Sequence, residues 1–122
     1  DVLCSGHAPH EDESKSLEFD LADSGIITLQ TFAANLVTLS KSVDWDVLLE
    51  KVTVNPRKLL NLEIPKIEVE AKANLTLFDP DHAWTFDEKS NFSKSRNSPW
   101  YGKEMLGKAV AVFNNGRQKI DE

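Results

Sequence analysis

The chain has 122 residues, 40% hydrophobic and 28% charged, with a formal net charge of −6. That length suffices for one modest core, and no run of about 18 apolar residues is present to cross a membrane. The acid excess argues against a nucleic-acid partner, because a phosphate backbone is met by clustered Lys and Arg.

In chain order, "DVLCS" (1–5) is short and apolar, a strand that Gly6 and Pro9 bring to an end. Cys4 is the one cysteine and cannot close an internal disulfide, so a reducing cytoplasm is the expected compartment. On a buried strand it would be a small apolar filler. No basic segment followed by an apolar one opens the chain, so a signal peptide is not expected in it. "HEDESKSLEFDLADSG" (10–25) reads as an acidic loop. "TLQTFAANLVTLSKS" (28–42) then sets Leu29, Phe32, Ala33, Leu36 and Leu39 on one helical face. A second helix begins at "VDWDVLLEKV" (43–52), with Asp44 as N-cap and Val43 and Leu48 spaced as a hydrophobic staple. A third is written in "NPRKLLNL" (55–62), with Asn55 as cap and Pro56 at the first helical position.

After Leu62 the texture changes. "IPKIEVEAKANLTLFDPDHAWTFDE" (64–88) alternates as strands do, with Leu75 and Leu77 on one face and Asp79-Pro80 ending the run. "SNFSKSRNSPWYGKE" (90–104) reads as a loop. In "MLGKAVAVFNNGRQKI" (105–120), Val110 and Val112 alternate with small residues, and Asn115-Gly116 supplies a type I′ hairpin turn. The chain therefore divides near Leu62 into a strand-plus-helices part and a β part. A lone strand leading into helices needs neighbours to bury its flanks, so both halves read as unfinished. A compact α+β domain starting on an edge strand is the other reading of the same pattern.

Candidate chemistry is concentrated in "CSGHAPH" (4–10). Histidines three apart, off a helix, are compatible with a metal, with a bound acid, or with a backbone-bonded loop end. The acids Glu11, Asp12, Glu13, Glu18 and Asp20 lack the central Gly of a calcium loop and read as solvated. Trp45, Trp84, Trp100 and Tyr101 are scattered and read as packing residues.

Taken together, "CSGHAPH", "GIITLQT", "VTVNPRKLLNL", "EAKANLTLFDPDHAW", "FSKSRNSPWYGKEMLGKAV" and "NNGRQ" resemble, in collinear order, the C-terminal part of the dihydroorotases. These belong to the cyclic-amide amidohydrolases, with allantoinases and hydantoinases. The resemblance implies an α/β fold: residues 1–62 as the end of a (β/α)8 TIM barrel, which takes about 250 residues, and 63–122 as the C-terminal portion of a small β-sandwich. It implies reversible hydrolysis of the dihydroorotate ring amide to N-carbamoyl-L-aspartate, on the pyrimidine route. Zinc would activate water and polarise the carbonyl, held by ligands from earlier strands and none from this segment. Implied partners are a small cyclic amide and a second copy of the chain in a homo-oligomer.

Residue by residue, the family's last strand ends in an Asp that touches the metal and moves the proton. "HAPH" sets the register, and Gly6 stands at that position. His10 matches the histidine that contacts the substrate carboxylate, and His7 a more structural one. Backbone groups near Ile26 and Ile27 would pair with the substrate amide. Thr28 replaces the usual Gly and would crowd the ring; Gln30 replaces the usual Glu. Loss of a positioned acid–base costs about 10²–10⁴ in rate. Three possibilities follow: a working amidohydrolase with another base, a catalytically silent homologue that serves as a scaffold, for example for aspartate carbamoyltransferase, or a free-standing binding module.

Overall fold

The structure, a computed structural model, describes residues 1–120; the last two residues of the 63–122 segment lie outside them. Four helices precede a sheet: α1 (Asp12–Lys15), α2 (Phe32–Leu39), α3 (Trp45–Val52), α4 (Val54–Leu59), then β1 (Asn74–Thr85), β2 (Glu104–Asn114) and β3 (Arg117–Ile120). The strands form one antiparallel sheet in the order β1-β2-β3. The result is a small mixed α/β arrangement.

The hairpin forms as its turn residues require. Asn115 and Gly116 both take positive φ, 51° and 75°, and Asn114 pairs with Arg117 across them. That is the type I′ geometry, which matches the twist of the flanking strands. On β2 it is the small residues of the alternation, more than the valines, that face inward. Met105 and Ala111 are buried, whereas Leu106 and Val112 are 46% and 41% exposed. Small residues face inward because α2 lies directly on them: a Cβ on Gly107 would come within 2.5 Å of Val37 Cγ2 and 2.9 Å of Phe78 Cζ. Gly107 also has φ +97°, a region that side chains with a Cβ rarely occupy.

β1 continues through Pro80, where an end was expected. Asp79 pairs with Lys108 and the next pair is Ala83 with Leu106, so the register slips around the proline. An irregularity is where a strand tolerates a residue without an N–H. Leu75 is half-buried, but Leu77 is 53% exposed.

The helices need similar adjustment. α2 starts at Phe32, so Leu29 lies before it, out of helical phase and exposed; Leu39 is exposed too, and the buried positions are Thr31, Ala34 and Leu36. Asp44 does stand at the N-cap of α3, without a side-chain capping bond. α4 begins earlier than expected, with Thr53 as N-cap. Pro56 thus sits third in the first turn, where an N–H would have no partner in the helix. Asn55 caps nothing; its amide donates to the Asp1 carbonyl at 2.9 Å. One turn, α1, forms inside the acidic loop, and the six acids there, Asp23 included, are exposed.

The strand expected at 1–5 is not formed. Among the described residues this stretch joins no sheet, and a strand buried on both faces cannot stand without neighbours. Its Leu3 N–H donates to the Lys51 carbonyl instead, and Cys4 is exposed, not a buried filler. The core draws on both halves of the chain: Ile27, Ala34, Phe86 and Met105, with Trp84, Trp100 and Tyr101 against them. Tyr101 meets Phe86 edge-on at 5.7 Å, and Trp45 on α3 reaches Phe78 on β1 at 5.9 Å. The scattered aromatics are therefore the packing between helices and sheet.

Candidate functional site

The "HAPH" loop and the "GIIT" segment lie side by side. A single parallel bridge joins His7 to Ile26, with the Ala8 N–H donating to the Ile26 carbonyl at 2.8 Å. Gly25 makes the approach possible. A Cβ there would sit 2.6 Å from Ala8 Cβ and 3.2 Å from His10 Nε2, and its φ is +122°. Only a residue without that atom fits. Thr28 closes the other end: its hydroxyl donates to the Ser5 carbonyl at 2.6 Å. The side chain is 8% exposed and turned onto the "CSG" stretch.

The two histidines have different work. His7 Nδ1 accepts from the Thr28 and Leu29 N–H groups, each at 3.1 Å. Accepting fixes Nδ1 as the unprotonated nitrogen and makes this ring a brace between the segments. His10 instead donates from Nε2 to the Ser24 carbonyl at 2.9 Å. Its Nδ1 lies 3.4 Å from Asp23 Oδ2. One nitrogen orients the ring and the other meets a carboxylate. The His10 side chain is 25% exposed and that of Asp23 is 57% exposed, so this carboxylate contact is open to solvent.

Gly6 lies between these anchors with φ +60°, and a Cβ built on it meets nothing within 4 Å. No side chain there can take or give a proton. Ile27 is buried in the core, and its N–H donates to the Asn97 carbonyl at 3.0 Å; the Ile26 carbonyl is the acceptor for Ala8. The structure thus brings the segments that carry Gly6, His10, Ile26 and Ile27 side by side, a junction called the rim below, with the Ile26 carbonyl and the Ile27 N–H bonded within the chain.

Two residues of this rim, Asn97 and Lys15, escaped the sequence reading. Asn97 donates from Nδ2 to the Ala8 carbonyl at 2.9 Å and the Gly25 carbonyl at 3.2 Å, while its Oδ1 faces the His10 N–H at 3.4 Å. Lys15 donates to the Asp23 and Gly25 carbonyls. Gln30 holds a more distant loop, donating to the Ser90 carbonyl and accepting from the Phe92 N–H at 2.7 Å. That double role suits an amide, where the resemblance implied an acid, since a carboxylate could not donate to Ser90. Within that loop the Asp87 carboxyl is held below its ordinary range, chiefly by the Ser90 N–H; desolvation opposes this, and the Lys89 N–H and the Ser90 hydroxyl add to the lowering. The turn signals of "SRNSPW" were visible, but nothing in them marks Asn97 as a partner of residues 8 to 27.

No protein-family model matches the chain. Curated proteins do: the dihydroorotase of Clostridioides difficile is 41% identical over 120 residues, covering 95% of this chain. That of Clostridium acetobutylicum is 38% identical over 119 residues, again 95% of the chain. This chain is a dihydroorotase-like segment. A third dihydroorotase, from Aquifex aeolicus, is 33% identical over 119 residues and 96% of the chain. The dihydroorotase-like chain spans 28% of the length of each of these relatives.

Among the described residues no group of three or more His, Cys, Asp or Glu is placed to hold a metal ion, and His7 Nδ1 is committed to backbone N–H groups. No helix is long and apolar enough to cross a membrane, among the described residues. A groove of about 550 Å³ between α2 and the sheet is lined by Gln30, Trp84, Phe92 and Lys119, and another of about 370 Å³ by Arg57, Glu63 and Lys72. Neither is lined by Gly6 or His10.

Proposed function

We propose that this chain is the C-terminal part of a dihydroorotase-type amidohydrolase, which reversibly hydrolyses the dihydroorotate ring amide to N-carbamoyl-L-aspartate in the cytoplasm. Residues 1–62 form the end of its TIM barrel and 63–122 the C-terminal part of its β-sandwich. The observation that carries the reading is the 33–41% identity to curated dihydroorotases along 95–96% of the chain. Exposed apolar residues on and after α4 support the segment reading: Leu59 and Leu60 are 70% and 65% exposed, and Leu62 is 53% exposed. Surfaces of that kind are ordinarily covered by neighbouring elements.

Within this reading His10 receives the substrate carboxylate. The Asp23 carboxylate beside Nδ1 is a stand-in for that group. His7 braces the rim and the peptide groups of Ile26 and Ile27 set its floor. Zinc, held by ligands on other parts of the protein, would supply water activation, and a homo-oligomer would complete the assembly. A cyclic amide of the allantoin or hydantoin type is the alternative substrate.

One feature favours a second reading. Gly6 brings no acid to the position where the resembled family places its proton carrier. A catalytically silent homologue acting as a scaffold, with aspartate carbamoyltransferase as a candidate partner, needs none. The deciding experiment is metal analysis with a dihydroorotate hydrolysis assay on the full-length protein. Bound zinc with turnover supports the enzyme, and bound zinc without turnover supports the scaffold. Failure both to turn over and to bind dihydroorotate removes the dihydroorotase reading.

A further inference from the structure

Resting on the reading of His10 as the carboxylate-binding group, we propose that Asn97 is the positioning residue that aims its imidazole. His10 is held at two points, its backbone N–H and its Nε2. Asn97 acts on both. Its Oδ1 faces the His10 N–H, and its Nδ2 donates to the Gly25 carbonyl, one peptide along from the Ser24 carbonyl that orients the ring. The same Nδ2 reaches the Ala8 carbonyl at 2.9 Å, and the Asn97 carbonyl accepts from Ile27. One residue thereby fixes the spacing of two loops from 72 to 89 positions away in sequence.

The other group on this loop cannot do the same. Lys15 holds the Asp23 and Gly25 carbonyls, both on the 23–25 side of the junction. The chemistry also selects an amide: it alone of the short side chains gives a two-donor nitrogen beside an acceptor. A carboxylate at position 97 would face the Ala8 and Gly25 carbonyls with no proton to share. The spacing is tight, since Gly25 has room for no Cβ against Ala8. A small separation of the loops therefore withdraws the Ser24 carbonyl from Nε2 and lets the ring turn.

The test combines ¹⁵N NMR of the His10 ring in this chain with the dissociation constant for dihydroorotate, measured by calorimetry on the full-length protein. The variants are Asn97→Asp and the milder Asn97→Ser. Asn91→Ala is the control, because Asn91 bonds Ser93 and Ser95 inside the same loop and does not touch the rim. The expected result is loss of the Nε2–H signature in the Asn97 variants but not in the control, with affinity weakened about tenfold. Ring signals and affinity in both Asn97 variants within twofold of the Asn91→Ala values would overturn the assignment. If the unaltered full-length protein binds no dihydroorotate, the functional reading fails, and the ring signals alone still decide what Asn97 does.

Discussion

The β2–β3 hairpin and the rim around His10 are both held by hydrogen bonds, but over opposite ranges. In the hairpin, Asn114 pairs with Arg117 and Ala111 with Ile120, so the bonds close over a few residues and follow from one Asn-Gly turn. In the rim, residues 7–10 are tied to 24–28 and both to Asn97. The bonds between the two loops close over 14 to 22 residues, and those to Asn97 over 72 to 89. Loop closure over such distances carries an entropy cost that short turns avoid. The rim is therefore the part of the molecule more easily disturbed by a single substitution elsewhere, and the hairpin the part that survives it.

Glycines in the two regions break this comparison most directly. Gly107→Ala forces a methyl group against Val37 and Phe78 at positive φ. Neither a β-branched helix residue nor an aromatic ring can withdraw far, so a loss of about 3 kcal/mol in urea unfolding is expected. Gly25→Ala meets Ala8, also at positive φ, but the two loops can part. The expected loss is smaller, about 2 kcal/mol, and the His10 ring signals shift where those of the hairpin do not. Gln30→Glu comes last, at about 1 kcal/mol: it keeps the acceptor for Phe92 and turns the donor to Ser90 into a second acceptor. Thermal and urea unfolding of the three variants would rank them, and an equal effect of Gly25→Ala on both regions would contradict the comparison.

What could be read from sequence follows the same division. Asn115-Gly116 announced its hairpin because positive φ at two successive residues is a local demand. The helix over 32–39 was readable from apolar spacing and that over 45–52 from its N-cap and staple, but the buried face of α2 only in part: Leu36 is buried as expected, while Thr31 and Ala34 are buried through contacts far along the chain. Pro80 misled, since a proline ends a regular strand but fits an irregular one, and the slip is set by the partner strand. The opening stretch failed as a strand for want of neighbours. The proximity of His7, His10 and Ile26 came from matching motifs to a family and has no signature in composition. Asn97 had none of either kind, because an asparagine that reads as a turn residue is indistinguishable in sequence from one that bridges two loops.

The central claim is that Gly6 occupies the position of a missing proton carrier in a dihydroorotase-type site. Gly6→Asp is open to test because a Cβ there meets nothing within 4 Å, and Asp is among the residues that best tolerate positive φ. The measurement is the rate of dihydroorotate hydrolysis by zinc-loaded full-length protein, with and without this substitution. The account predicts a rise of about 10²-fold or more. An unchanged rate in a folded, zinc-bound variant that still binds dihydroorotate would contradict it.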